Sequence, residues 1–216
     1  YMPIENVAIY GIAVYIATVI SVPQKAMHQI THPMTAEMLN TKDKAGLKNL
    51  YQKSSLNLLI ISALIFIWII TNVESLYELI PQQYQISVFV VLLISIVKLY
   101  DNLLGNNNSI LFNSDYYRIV LGIGVILVLL AFILNYLLIP KFGLEGAAIA
   151  SFLAFFVYNT SKIFLVYIKF RIQPFSKSTW LMLLLTLLLT AGFYFIDIST
   201  LPILNICLKV LISGIV

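Results

Sequence analysis

Charge is scarce in this chain of 216 residues, of which 10% are charged and 61% hydrophobic. Soluble domains carry about 25% charged and about 45–50% apolar residues. A water-soluble fold is excluded, because nine acids and thirteen bases cannot cover an apolar interior of that bulk. Cysteine is nearly absent. Cys207 alone makes neither an intramolecular disulfide nor a Cys-rich metal site. The chain also lacks a phosphate-cradling glycine loop, a nucleophile elbow and a set of zinc ligands, so ATP hydrolysis has no support, no cofactor is implied and enzyme activity is not expected. His28 and His32 stand four residues apart, but Pro33 follows and no third ligand is evident, so no metal site is expected. The net charge of +4 does not point to nucleic acid, because the bases lie between hydrophobic runs and form no stripe.

What the chain does have is long apolar runs. A bilayer core of about 30 Å takes about 20 helical residues, and seven such runs are predicted. They cover Asn6 to Ile30, Ser54 to Thr71, Tyr84 to Leu104, Tyr116 to Ile139, Gly146 to Ile168, Ser178 to Ile196, and a last one from Leu201. Continuous leucine- and isoleucine-rich runs exclude barrel strands, which alternate in polarity. The fold class is therefore an all-α, polytopic transmembrane helix bundle. The connections alternate in charge: Lys42, Lys44, Lys48 and Lys53, then Lys98 and Arg118, then Lys169, Arg171 and Lys177 mark the cytoplasmic side. The turns with Glu74 and Glu78, with Lys141 and Glu145, and with Asp197 face outward. The segment 35–53 places Met38, Leu39, Leu47, Leu50 and Tyr51 at helical spacing and reads as an amphipathic helix on the cytoplasmic interface, its lysines toward anionic headgroups. Asn106, Asn107 and Asn108 read as a turn between helices. The first run begins close to Tyr1 and the last is still open at Val216, so the chain is expected to be a fragment of a longer protein.

The stretch LNYLLIPKFGLEGAAIAS, from Leu134 to Ser151, resembles the C-terminal lobe signature of polysaccharide flippases. VAIYGIAVYIATVISVPQKA from Val7 to Ala26, Pro33, and KFRIQPFSK from Lys169 to Lys177 follow the order of Wzx-type O-antigen flippases. These belong to the multidrug/oligosaccharidyl-lipid/polysaccharide exporter superfamily. The resemblance implies two six-helix lobes around a central cavity, with residues 1–168 as family helices eight to twelve and 169–216 as two additional helices. It implies transport of undecaprenyl-diphosphate-linked oligosaccharide across the bacterial inner membrane by alternating access, for polysaccharide or O-antigen biosynthesis. The implied partners are that lipid-linked oligosaccharide, membrane lipids, the absent N-terminal lobe and other polysaccharide-assembly membrane proteins. Physically, Pro140 suits a helix end, Gly143 permits a tight reversal, and Gly146 lets a neighbouring helix approach.

An anionic headgroup crossing hydrocarbon needs a polar, preferably cationic route, so basic residues within helices are the candidates. Lys98 and Asp101, three residues apart on one helical face, are expected to neutralise each other, either at a diphosphate or sugar contact or as a structural ion pair. Lys162 stands in the polar patch from Tyr158, where its stem can snorkel to headgroups or touch a ligand. On the first span Tyr10, Tyr15, Thr18, Ser21, Gln24 and Lys25 form the next set, because that span matches the cavity-lining family helix. Arg118 stands where a diphosphate would enter, and equally where a topology anchor belongs. A multidrug cation antiporter of the same superfamily is the alternative, although lysines inside helices favour anionic cargo. A membrane glycosyltransferase or O-antigen ligase fits less well, since the outward loops are short.

Overall fold

The computed structural model describes residues 4–81, 87–196 and 202–215, with side chains to 211 in the last segment. Tyr84, Asp197 and Leu201, which marked expected span or loop positions, lie outside the described residues. Among the described residues there is no strand. The helices are α1 (Ile4–Thr18), α2 (Val22–Asn40), α3 (Lys44–Glu78), α4 (Val88–Leu103), α5 (Asn107–Phe112), α6 (Tyr117–Phe170), α7 (Lys177–Tyr194) and α8 (Pro202–Ile215). Among the described residues four helical stretches are long and apolar enough to cross a membrane: Glu5–Asn40, Lys44–Glu78, Tyr117–Phe170 and Lys177–Tyr194.

α1 and α2 run on through a single 3-10 step at Val19–Ser21. Pro23 lacks the amide that would bond the Val19 carbonyl, and Val22 donates to it instead, tightening one turn. The helix continues past the expected end at Ile30 and stops at Asn40. Lys42 then takes a left-handed conformation (φ 56°) and Asp43 Oδ1 accepts the Gly46 amide at 2.9 Å, capping α3. This corrects the expected interfacial helix. Its residues are divided between the last turns of α2 and the first turns of α3, because the capping aspartate and the turn before it fall in the middle of the segment.

α3 is the axis of the bundle. It packs against α2, α4, α7 and α8, and it is the one candidate span whose apolar window is mostly buried. The principal core gathers Ala13, Ala17, Leu59, Ala63, Val90 and Val91, among others, from α1, α3 and α4. A second core lies below it, with Leu47 and Tyr51 from α3, Ile110 and Leu111 from α5, and Val120 and Val166 from α6.

α6 is a helical hairpin. Gly143 (φ 58°, ψ −132°) breaks it into arms 117–142 and 144–170. A Cβ on Gly146 would strike the Leu138 carbonyl, and at the far end Tyr116 meets Phe170 edge to face with centroids 5.8 Å apart. The expected reversal therefore occurs, at the glycine; Pro140 stays within the first arm. Along that arm Leu121, Val125, Val128 and Phe132 are more than half exposed. Such a surface fits lipid and is foreign to water.

The turn from α4 to α5 closes against α3. Gly105 has φ +56°, and a Cβ there would lie 2.6 Å from the Ser55 amide nitrogen. Gly105→Ala is therefore expected to lower the thermal midpoint of the detergent-purified protein, through both backbone strain and the clash. Gly122→Ala, which meets nothing within 4 Å, is the control and should leave the midpoint unchanged or raised.

Candidate functional site

Four helices each send one polar side chain to a common point near the end of α4. Lys162 on the second arm of α6 is 2% exposed. Its ammonium donates to Asn108 Oδ1 on α5 at 3.1 Å, lies 3.7 Å from Asp101 Oδ1 on α4, and stands 4.5 Å from the Tyr158 ring centroid. Gln24 on α2 donates to the other Asp101 oxygen at 3.1 Å. Each interaction replaces part of the hydration that the buried ammonium has lost.

Beside this cluster is a cavity of about 200 Å3, lined by Lys98, Asp101, Asn108, Tyr158, Asn159 and Lys162 together with Val97 and two phenylalanines. Asn159 is fully buried, and neither its amide nitrogen nor its oxygen has a hydrogen-bond partner. A buried amide left in this condition costs free energy, and a donor–acceptor ligand in the cavity would recover it.

The wall behind the site is a buried polar knot. Asn102 donates to the Ile20 carbonyl at 2.6 Å, within the 3-10 step of the first helix. Asn106 donates to Thr35 Oγ1 at 2.8 Å, Asn107 to Tyr51 Oη at 2.6 Å, and Ser55 to the Leu103 carbonyl at 2.6 Å. His28 Nε2 lies 3.2 Å from the Gly105 carbonyl. Of the asparagine run, Asn106 lies in the expected turn while Asn107 and Asn108 open α5; the first two are buried and Asn108 is half-buried, and the run ties α2, α3 and α6 together.

The structure redistributes the sequence candidates. Asp101 pairs with Lys162, and no ion pair joins it to Lys98 among the described residues. The fully desolvated amine gains more from the carboxylate than the half-buried one, which is the physical reason for the correction. Lys162 does not snorkel. Gln24 belongs to the cluster, whereas Lys25, Tyr15 and Arg118 are exposed, the tyrosine by 79%, and Arg118 donates to its neighbour Tyr117 at 3.1 Å. Tyr10 pairs with Ser151 across α1 and α6 at 3.2 Å, Thr18 bonds back to the Val14 carbonyl, and Ser21 Oγ is buried without a partner. Pro140, Gly143 and Gly146 shape the hairpin and touch no part of the site. No group of three or more His, Cys, Asp or Glu side chains comes together among the described residues.

Two residues of the site were missed as site residues in the sequence. Asn108 reads as a turn, and its sole sequence signal is that Lys162 needs an acceptor somewhere. Asn159 falls within the polar patch from Tyr158 but carries no motif. Lys209 on α8 also escaped notice: it is 2% exposed and donates to the Thr71 carbonyl at 3.0 Å, one helical turn from Asn205, which donates to Ser75 at 3.1 Å.

Removing either charge of the pair should have unequal effects. Asp101→Ala leaves a buried ammonium uncompensated and is expected to cost up to about 3 kcal/mol. Lys162→Met leaves a carboxylate that is one-third exposed and still held by Gln24, so it should cost less. Thermal midpoints in detergent measure the order, and the reverse order would refute the assigned desolvation.

Comparison of the chain with protein-family models, curated proteins and solved structures finds no match.

Proposed function

We propose that this chain is the C-terminal part of a two-lobe membrane transporter that moves an amphipathic anion, a lipid-linked diphosphate oligosaccharide, across the bacterial inner membrane by alternating access. The observation that carries the reading is the cavity beside Lys162. It sets two lysines against one carboxylate and adds an asparagine with both polar atoms unpartnered. An anionic sugar-bearing headgroup supplies what such a cavity lacks: negative charge for Lys98 and hydroxyls for Asn159.

The surroundings fit an amphipathic cargo. The polar cavity meets a small apolar opening at Val97 on α4, and that opening shares Ile96, Leu99 and Leu183 with a larger apolar groove of about 660 Å3 between α3, α4 and α7. A charged head and a hydrocarbon tail thus have adjoining places. On this reading the chain crosses the membrane seven times. Each arm of α6 makes one crossing, α4 and α8 are short crossings, and residues 169–216 add two helices to a lobe formed by 1–168. The exposed Tyr15, Thr18 and Lys25 then lie on the α1–α2 face turned toward the other lobe. The resemblance at Leu134 to Ser151 points the same way.

The test is export of surface polysaccharide by cells whose sole copy of the full-length protein is altered. Lys98→Ala and Asn159→Ala, at parental protein level, are each expected to reduce export by about tenfold, the effect of losing one charged or buried hydrogen bond. Parental export by both variants would remove the cavity from the route. Expulsion of cationic dyes by reconstituted protein, without glycolipid translocation, would favour a multidrug antiporter.

A further inference from the structure

The lysine-rich end of the bundle carries a second cavity, of about 300 Å3, separate from the site at Lys162. Three lysines border it, and they come from three different segments: Lys42 from the α2–α3 turn, Lys44 from the start of α3, and Lys169 from the end of α6. Its floor is apolar, made by Met38, Leu39, Leu47 and Phe170. These side chains belong to or pack on the second core.

We infer that this cavity is a binding site for the phosphodiester headgroup of an anionic phospholipid. Cytoplasmic-side lysines that merely set topology need only lie near the helix ends. Here they converge on one concavity, and convergence is what headgroup recognition requires. The one acid among the lining residues, Asp43, faces three lysines, so positive charge prevails there, and its Oδ1 is turned to the Gly46 amide at 2.9 Å. Lys169 is held in place as well, with its ammonium 4.8 Å from the centroid of the Tyr116 ring. Lys42 occupies a left-handed backbone position (φ 56°), where glycine would sit without strain. The apolar floor decides between a lipid and a free anion: soluble phosphate gains nothing from Met38, Leu39 and Phe170, whereas the glycerol and upper acyl carbons of a lipid bury against them.

Native mass spectrometry of the full-length protein, solubilised in neutral detergent and titrated with phosphatidylglycerol or phosphatidylcholine, tests the site. The parent is expected to retain phosphatidylglycerol in preference to phosphatidylcholine. Replacing Lys42, Lys44 and Lys169 by alanine together should weaken phosphatidylglycerol retention about a hundredfold, at about fivefold per lysine. The matched triple at Lys48, Lys53 and Lys177, which are exposed and outside the cavity, removes the same charge. It should change retention by no more than about twofold, because it acts only through the screened surface field. Lys42→Gly guards against loss of fold: it relieves the left-handed strain, so its thermal midpoint should equal or exceed the parent's while retention falls about fivefold. Equal losses in the two triples would reduce the site to diffuse surface charge. Unchanged retention in the cavity triple, or displacement of phosphatidylglycerol by inorganic phosphate, would overturn it.

Discussion

Withdrawing an ammonium group from water costs several kcal/mol even after the surroundings relax, and Lys162 is withdrawn almost completely. The local architecture answers that cost. Asp101 supplies the opposite charge, Asn108 a neutral acceptor and Tyr158 the face of a ring, while Gln24 holds the carboxylate from its other side. Because these side chains come from α2, α4, α5 and α6, satisfying one amine fixes the relative positions of four helices. The neighbouring asparagines extend the same logic, since amides inside an apolar bundle must find partners within it.

That demand also explains how the bundle coheres without a hydrophobic driving force between its helices. In lipid, an exposed leucine and a buried one are in similar surroundings, so packing and interhelical hydrogen bonds must supply specificity. The contrast is visible between helices. The first arm of α6 shows leucine, valine and phenylalanine outward, while the faces that meet carry Ser55, Asn102, Asn107 and small residues such as Ala13 and Ala63. α8 follows the same rule on α3, through Asn205 to Ser75 and Lys209 to Thr71.

How much was legible in the sequence depends on the range of the interaction. The helical class and the reversal near Gly143 follow from local facts, namely apolar run length and a glycine able to take positive φ. The mid-helix step at Val19 is as local, a missing amide four residues on at Pro23. The interfacial segment was misread because its apolar spacing is real, yet Asp43 interrupts it with a cap that periodicity alone does not weigh. The site was half legible. Lys98, Asp101, Gln24 and Lys162 stand out as polar residues in apolar helices, but sequence proximity joins Lys98 to Asp101, whereas burial joins Asp101 to Lys162, sixty-one positions away. Asn108 and Asn159 acquire meaning only when α5 and α6 are brought together.

The hairpin of α6 bears on how the chain enters a bilayer during synthesis. Its arms join through a reversal whose charged groups are Lys141 and Glu145, one of each sign, and its two ends lie side by side at Tyr116 and Phe170. A paired unit of this shape needs to carry no net charge and no folded domain through the hydrocarbon, and the carbonyl of Leu138 is already covered by Gly146 as it goes. On the proposed reading, in which each arm makes one crossing, both arms can therefore be delivered together, with Gly143 as the leading edge.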